Sequence, residues 1–248
     1  MKRYVTFILF LLIKFTLVSQ VINIEDKRFL KDTNGFVGRV DFNFKINQNV
    51  NQVLSLGINT HGQYVHNKHR VLTIGDLAFI NGGEKDFVNS GYQHLRYNYK
   101  LHKVLTWEAF VQAQYNRVLL LDKRYIAGTG PRFKLIKKNN LKIYFATLYM
   151  YEYQTQNNDS ITKYNHRLST YVTLSWVFKK LEFASTTFYQ PNLANTVDYR
   201  IANNSSLEIL ISNHFNFKVG FNLLYDTKQP IGIPALTYIL NNGLTFKF

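Results

Sequence analysis

The sequence predicts an all-β chain, a single antiparallel transmembrane β-barrel of about 12 strands preceded by a cleaved signal peptide, and three observations carry the prediction. Almost every stretch after residue 35 alternates apolar and polar side chains with a period of two, the period of a β-strand. The first twenty residues, MKRYVTFILFLLIKFTLVSQ, set Lys2 and Arg3 before an apolar run that closes on Ser19 and Gln20, the layout of a secretory signal. The last thirteen, LTYILNNGLTFKF, place Leu236, Tyr238, Leu240, Leu244, Phe246 and Phe248 on one face and Thr237, Asn241, Gly243, Thr245 and Lys247 on the other.

Composition agrees. Seventeen Tyr and twenty Phe against two Met and four Pro favour pleated strands over helices. The absence of Cys removes disulfides, thiolate metal sites and a lipid-anchored N-terminus. Lys14 interrupts the N-terminal apolar run, and beyond it no run approaches the ~20 apolar residues of a spanning helix. A membrane-embedded mature chain must then cross as a closed barrel, the other structure that satisfies its backbone in lipid. The domain reading is a signal peptide over 1–20, a short periplasmic segment over 21–34 and a barrel over 35–248. Losing the signal with its three cations lowers the net charge from +15 to +12. The remaining Lys and Arg are scattered singly along strands with no basic helix, which argues against nucleic acid as a partner.

Taken in order, Phe36, Val40, Phe42, Phe44 and Ile46 oppose Arg39, Asp41, Asn43 and Lys45. Gln48 and Asn49 then turn the chain into Leu54, Leu56 and Ile58, which oppose Ser55, Gly57 and Asn59. The third strand, about 69–80, is less regular and its facing stays open. It ends at Asn81, Gly82 and Gly83. Leu95, Tyr97 and Tyr99 oppose His94, Arg96 and Asn98; Leu105, Trp107, Ala109, Val111, Ala113 and Tyr115 oppose Thr106, Glu108, Gln112 and Gln114. Tyr125, Ala127, Pro131 and Phe133 oppose Arg124, Gly128, Gly130, Arg132 and Lys134. Ile143, Phe145, Tyr149, Tyr151 and Tyr153 share the apolar face of the next segment, before the polar loop QNNDS. Leu168, Val172, Leu174 and Trp176 oppose Arg167, Ser169, Thr173 and Ser175, and Lys179–Lys180 turns into 181–189. After a Pro-containing turn, Tyr199, Ile201, Leu207 and Ile209 oppose Asp198, Arg200, Ser206 and Glu208. In the most regular segment Phe215, Phe217, Val219, Phe221 and Leu223 oppose Asn216, Lys218, Gly220 and Asn222. Twelve segments return the C-terminus to the side where the barrel began, as single-chain bacterial barrels require.

A soluble sandwich would use the same alternation with its apolar side inward. Here the polar face carries Gly, Ser, Thr, Asn and Gln among charges, and aromatics gather near strand ends on the apolar face, which favours lipid outside and a hydrated lumen within. On that reading the lumen-facing basic candidates are Arg39, Arg96, Arg124, Arg132, Arg167, Arg200 and Lys218, and the acidic ones Asp41, Glu108, Glu152, Glu182, Asp198 and Glu208. Adding Lys45, Lys134, Lys142 and Lys247 gives eleven cations against six acids, a field that favours anions if the lumen is wet. If instead the charges pair across strands, they fill the interior.

The terminal strand resembles the closing strand of bacterial outer-membrane barrels, and that resemblance implies Phe246 and Phe248 as the signal read by the barrel-assembly machinery. The stretches LRYNYKL, RYIAGTGPRFKL, FYQPNLANTVDYRI and YDTKQP, in that order, resemble the YdiY-like, salt-induced outer-membrane proteins, a family without an assigned activity. The resemblance covers most of the mature chain and implies location in the cell outer membrane, outer-membrane lipid as surroundings, and the barrel fold.

Catalytic chemistry has little support. Gly128-x-Gly130 lacks the Lys-Ser/Thr and the following helix of a phosphate loop and reads as close backbone approach. His66 and His69 lack a completing carboxylate or Cys, so no metal and no cofactor is expected. Ser169, Ser175 and His166 carry no nucleophile-elbow signature. Three functions stay open: a passive, weakly anion-preferring small-solute channel, a closed structural or stress-related barrel, and a lipid-modifying enzyme.

Overall fold

The computed structural model describes residues 34–48, 52–83, 85–156, 160–212 and 215–246. The signal peptide, nearly all of the segment after it, Asn49, the loop centre at 157–159, Lys247 and Phe248 lie outside the described residues. The rest is all-β. Strands β1 (Gly35–Gln48), β2 (Gln52–His66), β3 (His69–Gly82), β4 (Lys85–Lys100), β5 (Leu105–Asn116) and β6 (Leu121–Lys137) form the first half. Strands β7 (Leu141–Gln156), β8 (Ile161–Phe178), β9 (Leu181–Pro191), β10 (Tyr199–Leu210), β11 (Phe215–Asp226) and β12 (Leu236–Phe246) form the second. They lie in one 12-stranded antiparallel sheet in chain order, β1 to β12.

Hairpins of two or a few residues make this order possible, since adjacent antiparallel strands need no crossover. Asn67 and Lys179 adopt positive φ (53° and 52°) in the turns β2–β3 and β8–β9, and Gly83 (68°) does so after β3. These left-handed positions match the twist of tight hairpins. Gly35 and Phe246 fall at the same end as the turns at Asn67–Lys68, 101–104, 138–140 and Lys179–Lys180. The longer connections 192–198 and 227–235 fall at the other. Short turns beside the termini mark the periplasmic end of an outer-membrane barrel.

Facing follows the alternation. Outward lie Leu95, Tyr97, Trp107, Val111, Tyr149, Leu168, Val172, Trp176, Tyr189, Tyr238 and Leu240, all exposed. Inward lie His94, Arg96, Asn98, Glu108, Glu152, Arg167 and Arg200, all buried. An apolar exterior around a buried polar interior is the inverse of a soluble sandwich. Aromatic clusters rim the exterior at both ends: Tyr125, Tyr153 and Tyr164 pack in series with ring centroids 6.1 and 5.2 Å apart, as do Tyr189, Tyr199 and Tyr225 at 5.9 Å each, towards the long loops. Trp176–Phe178, Phe133–Phe145 and His69–Tyr99 pair towards the short turns. Two aromatic girdles around an aliphatic band are the exterior of an outer-membrane barrel.

The third strand resolves with Val71, Thr73 and Leu77 outward and Arg70, Leu72 and Ile74 inward, Leu72 and Ile74 having no exposed surface. Its facing was illegible because a filled lumen accepts aliphatic side chains as readily as lipid does. The same holds for the inner cluster of Ala146, Leu148, Tyr171, Phe188, Ala202 and Leu224 with Phe110 against it. Gly128 and Gly130 are sites of close approach: a Cβ on Gly128 would meet the Phe110 ring at 2.6 Å, and one on Gly130 the Thr147 carbonyl at 2.3 Å. The β6–β7 ladder lapses beside Pro131, between Thr129↔Tyr149 and Arg132↔Ala146, as expected where a residue has no N–H to donate.

Ladders join each strand to the next from β1 to β12, and among the described residues none joins β12 back to β1. Nearly all of β1 is exposed on both faces. Buried inward side chains run from Gln63 and Val65 on β2 to Thr237 on β12.

Candidate functional site

The lumen is built around two carboxylates with no exposed surface, Glu108 on β5 and Glu152 on β7. A lone charge at such a position is prohibitively costly, so each must be matched. Glu152 Oε2 lies 2.5 Å from Arg200 Nη1 and 3.5 Å from Arg124 Nε, while Oε1 lies 3.5 Å from Arg167 Nε and accepts from Asn165 Nδ2 at 2.9 Å. The arginines are matched in turn. Arg200 Nε reaches Asp226 Oδ2 at 2.6 Å, Arg167 Nη2 reaches Asp198 Oδ1 at 2.9 Å, and Arg124 donates twice to Gln154 Oε1, at 3.0 and 2.8 Å. Three arginines thus face three carboxylates, and their charges balance; Lys163, opposite Gln154 on the same face, adds one cation beside them.

Glu108 anchors the second part. Arg96 Nη1 lies 3.2 Å from Oε2, the Tyr171 hydroxyl donates to the same oxygen at 2.6 Å, and Arg132 Nε stands 3.9 Å from Oε1. Arg132 Cζ also lies over the Tyr144 ring, 3.9 Å from its centroid. Between the two parts remains a cavity of about 40 Å³, lined among others by Arg96, Phe110, Met150, Tyr171 and Arg200. The lumen is therefore packed with paired charge and aromatic rings, the Glu152 part lying towards the long loops, level with Tyr125, Tyr153 and Tyr199.

The other candidates sit apart from this network. Arg39 and Asp41 pair at 2.7 Å on exposed β1. Lys218 lies opposite Glu208 across β10–β11, Glu182 opposite Glu208 across β9–β10, and Asn216 Nδ2 donates to Glu208 at 2.7 Å. Phe246 pairs with Phe215 at the end of the β11–β12 ladder. The serines and the histidine do not meet: Ser169 is buried in the lumen and accepts from Gln190, whereas His166 lies outside, 2.5 Å from the Tyr149 hydroxyl. His69 Nδ1 lies 2.6 Å from the Tyr97 hydroxyl, and His66 Nε2 3.2 Å from Asn67 Nδ2.

Sequence reasoning missed Asp226, Tyr171, Arg70 and Lys100. Asp226 shares parity with Asn216 and Lys218, so carrying that alternation to the strand's end reaches it. Tyr171 has the parity of Arg167 and Ser169, but an aromatic on a polar face gave no signal. Arg70 and Lys100 line a second space, at the short-turn end of the lumen, of about 170 Å³.

The chain matches the family described as "Protein of unknown function, DUF481" over residues 39–248. No curated protein matches it. Among solved structures it is similar to the NanC porin (TM-score 0.48, 11% identity, 86% of this chain and 98% of that one) and to the KdgM porin (TM-score 0.40, 12% identity, 86% and 99%).

Proposed function

The chain belongs to the DUF481 family of proteins of unknown function, and we propose that it is an outer-membrane barrel closed towards its long-loop end by its own side chains, an envelope component rather than a freely conducting pore. The observation that carries this reading is Glu152, without exposed surface, held among Arg124, Arg167 and Arg200, each buried in turn. Reciprocally paired charges of this kind occupy space that a hydrated ion would need, and removing one partner strands another in the interior. Purified barrels, their fold verified by heat-modifiable migration, should give no stable conductance steps in planar bilayers. Replacing Glu152 and Arg167 together with Ala should introduce steps by emptying the plug. Stable steps from the unaltered protein would overturn the closed reading.

A weakly anion-preferring channel is the second reading, favoured by the cations that crowd the short-turn mouth around Arg132. It requires conductance with an anion-selective reversal potential in a salt gradient, moved towards cations by Arg132→Glu. The preference should fade with salt, since screening shortens the reach of the field to about 8 Å near physiological ionic strength. For lipid-modifying chemistry, Ser169 and His166 offer no dyad, because the wall of the barrel lies between them.

A further inference from the structure

We infer that the lumen mouth at the short-turn end is a binding site for a compact, multiply charged, phosphate-bearing solute. Three separate chain segments bring cations to one space. The β2–β3 hairpin contributes Lys68 and Arg70, the end of β4 and the connection after it contribute Lys100 and Lys103, and β6 contributes Arg132, Lys134 and Lys137. No carboxylate is among the described residues lining this space; Asn98, Thr106 and Tyr144 supply its neutral wall. The nearest part of the buried network is Glu108, 3.9 Å from Arg132 Nε on the inner side.

The site is held in place by the backbone. The Lys100 N–H donates to the Lys68 carbonyl at 2.9 Å, and the Lys134 N–H to the Val104 carbonyl at 2.8 Å, tying the β2–β3 and β4–β5 turns to the strands beside them. Lys134 Nζ donates to the Lys103 carbonyl at 3.1 Å, and Arg132 is fixed over Tyr144. Like charges gathered in a walled space repel one another, and low-dielectric walls concentrate their field, so the space favours an anion of high charge over chloride.

Facing selects the kind of anion. Arg70, Lys100, Arg132 and Lys134 share the lumen parity of Asn98 and Thr106, which points them away from lipid and assigns the site to a soluble ligand rather than a lipid headgroup. A volume of about 170 Å³ falls below the roughly 300–1,000 Å³ of sites for drug-sized ligands, which limits the occupant to something the size of a di- or triphosphate. Two arginines with planar donor forks among several lysines suit phosphoryl oxygens in particular. The site stands on this geometry whether or not the lumen conducts.

The test is calorimetric titration of the full barrel, in a neutral detergent, with inorganic pyrophosphate and, separately, with chloride. Pyrophosphate should bind saturably at one site per chain, weaken as salt is added, and not be matched by chloride. Replacing Lys100 and Lys103 with Gln should weaken it about tenfold, the scale of losing a charge-assisted hydrogen bond. Replacing Lys179 and Lys180, which lie in a turn at the same end but outside the space, should change it less than twofold. All four lysines are exposed, so the variants fold, which heat-modifiable migration verifies. Absence of saturable binding, or equal loss from both pairs of substitutions, would overturn the proposal.

Discussion

The Tyr171 hydroxyl on β8 donates to Glu108 Oε2 on β5 at 2.6 Å, a bond across the lumen between strands that share no ladder. Ladders define which strands neighbour which, but contacts of this kind fix how tightly the sheet curls. Tyr171 also packs on Phe188, ring centroids 5.1 Å apart, so one side chain joins the charged and apolar parts of the interior.

Tyr171→Phe should therefore keep the packing and lose only the donor. Glu108 would be left with its arginine partners and one unsatisfied lone pair, for a loss of about 1–3 kcal/mol. Urea-dependent unfolding of the barrel in detergent, followed by the gel shift of unboiled samples, reads this directly. A midpoint unchanged from that of the unaltered protein would mean that the bond contributes nothing.

Gly130→Ala tests the close approach of β6 to β7. Its Cβ would sit 2.3 Å from a backbone carbonyl that cannot rotate away, so the two strands must separate where Pro131 already interrupts their ladder. Overpacking at a rigid contact costs about 1–3 kcal/mol. Gly220→Ala, where the nearest atom lies 4.0 Å away, should be tolerated in the same assay. Equal behaviour of the two variants would refute the steric argument.

The strand periods were legible in the sequence because lipid outside and charge inside impose opposite demands on alternate residues. Phe42 against Arg39, or Tyr97 against Arg96, reads plainly. What escaped was everything that depends on the interior being full. Leu72, Ile74, Leu148 and Met150 are apolar on the lumen face, which local alternation cannot distinguish from lipid-facing residues. The alternation puts the arginines on the polar face of their strands, yet their pairing across β7, β8 and β10 depends on curvature, which no single strand encodes. An excess of cations on the lumen face thus divides into a charge-paired plug and a basic mouth, and the composition of the face gives only their sum.

The edges of β1 and β12, which no ladder joins among the described residues, supply a third prediction. Free N–H and C=O groups cannot face hydrocarbon, so in the membrane the two edges should meet. The chain has no Cys, which makes engineered pairs unambiguous. With one Cys at Leu240 and a second placed in turn at Gly38, Val40 or Phe42, at least one pair should form an intramolecular disulfide in membranes. Disulfides only between chains would place a second copy at the seam instead.

The last prediction concerns assembly. The outward face of β12 carries Leu236, Tyr238, Leu240 and Leu244, and Phe246 ends its ladder opposite Phe215. By the alternation of the sequence, Asp in place of Phe246 and Phe248 adds two charges to the apolar set of residues, and Asp on a lipid face costs less than the ~2–4 kcal/mol of Arg or Lys at the midplane. That is too little to unfold a barrel with eleven strands of ladder behind it. If the terminal aromatics serve only lipid contact, the variant should assemble with slightly lowered stability. If they are read by the barrel-assembly machinery, as we propose, surface assembly in cells should fail while the same variant still refolds from urea into detergent. Folding in both settings would reduce Phe246 and Phe248 to ordinary lipid-facing residues.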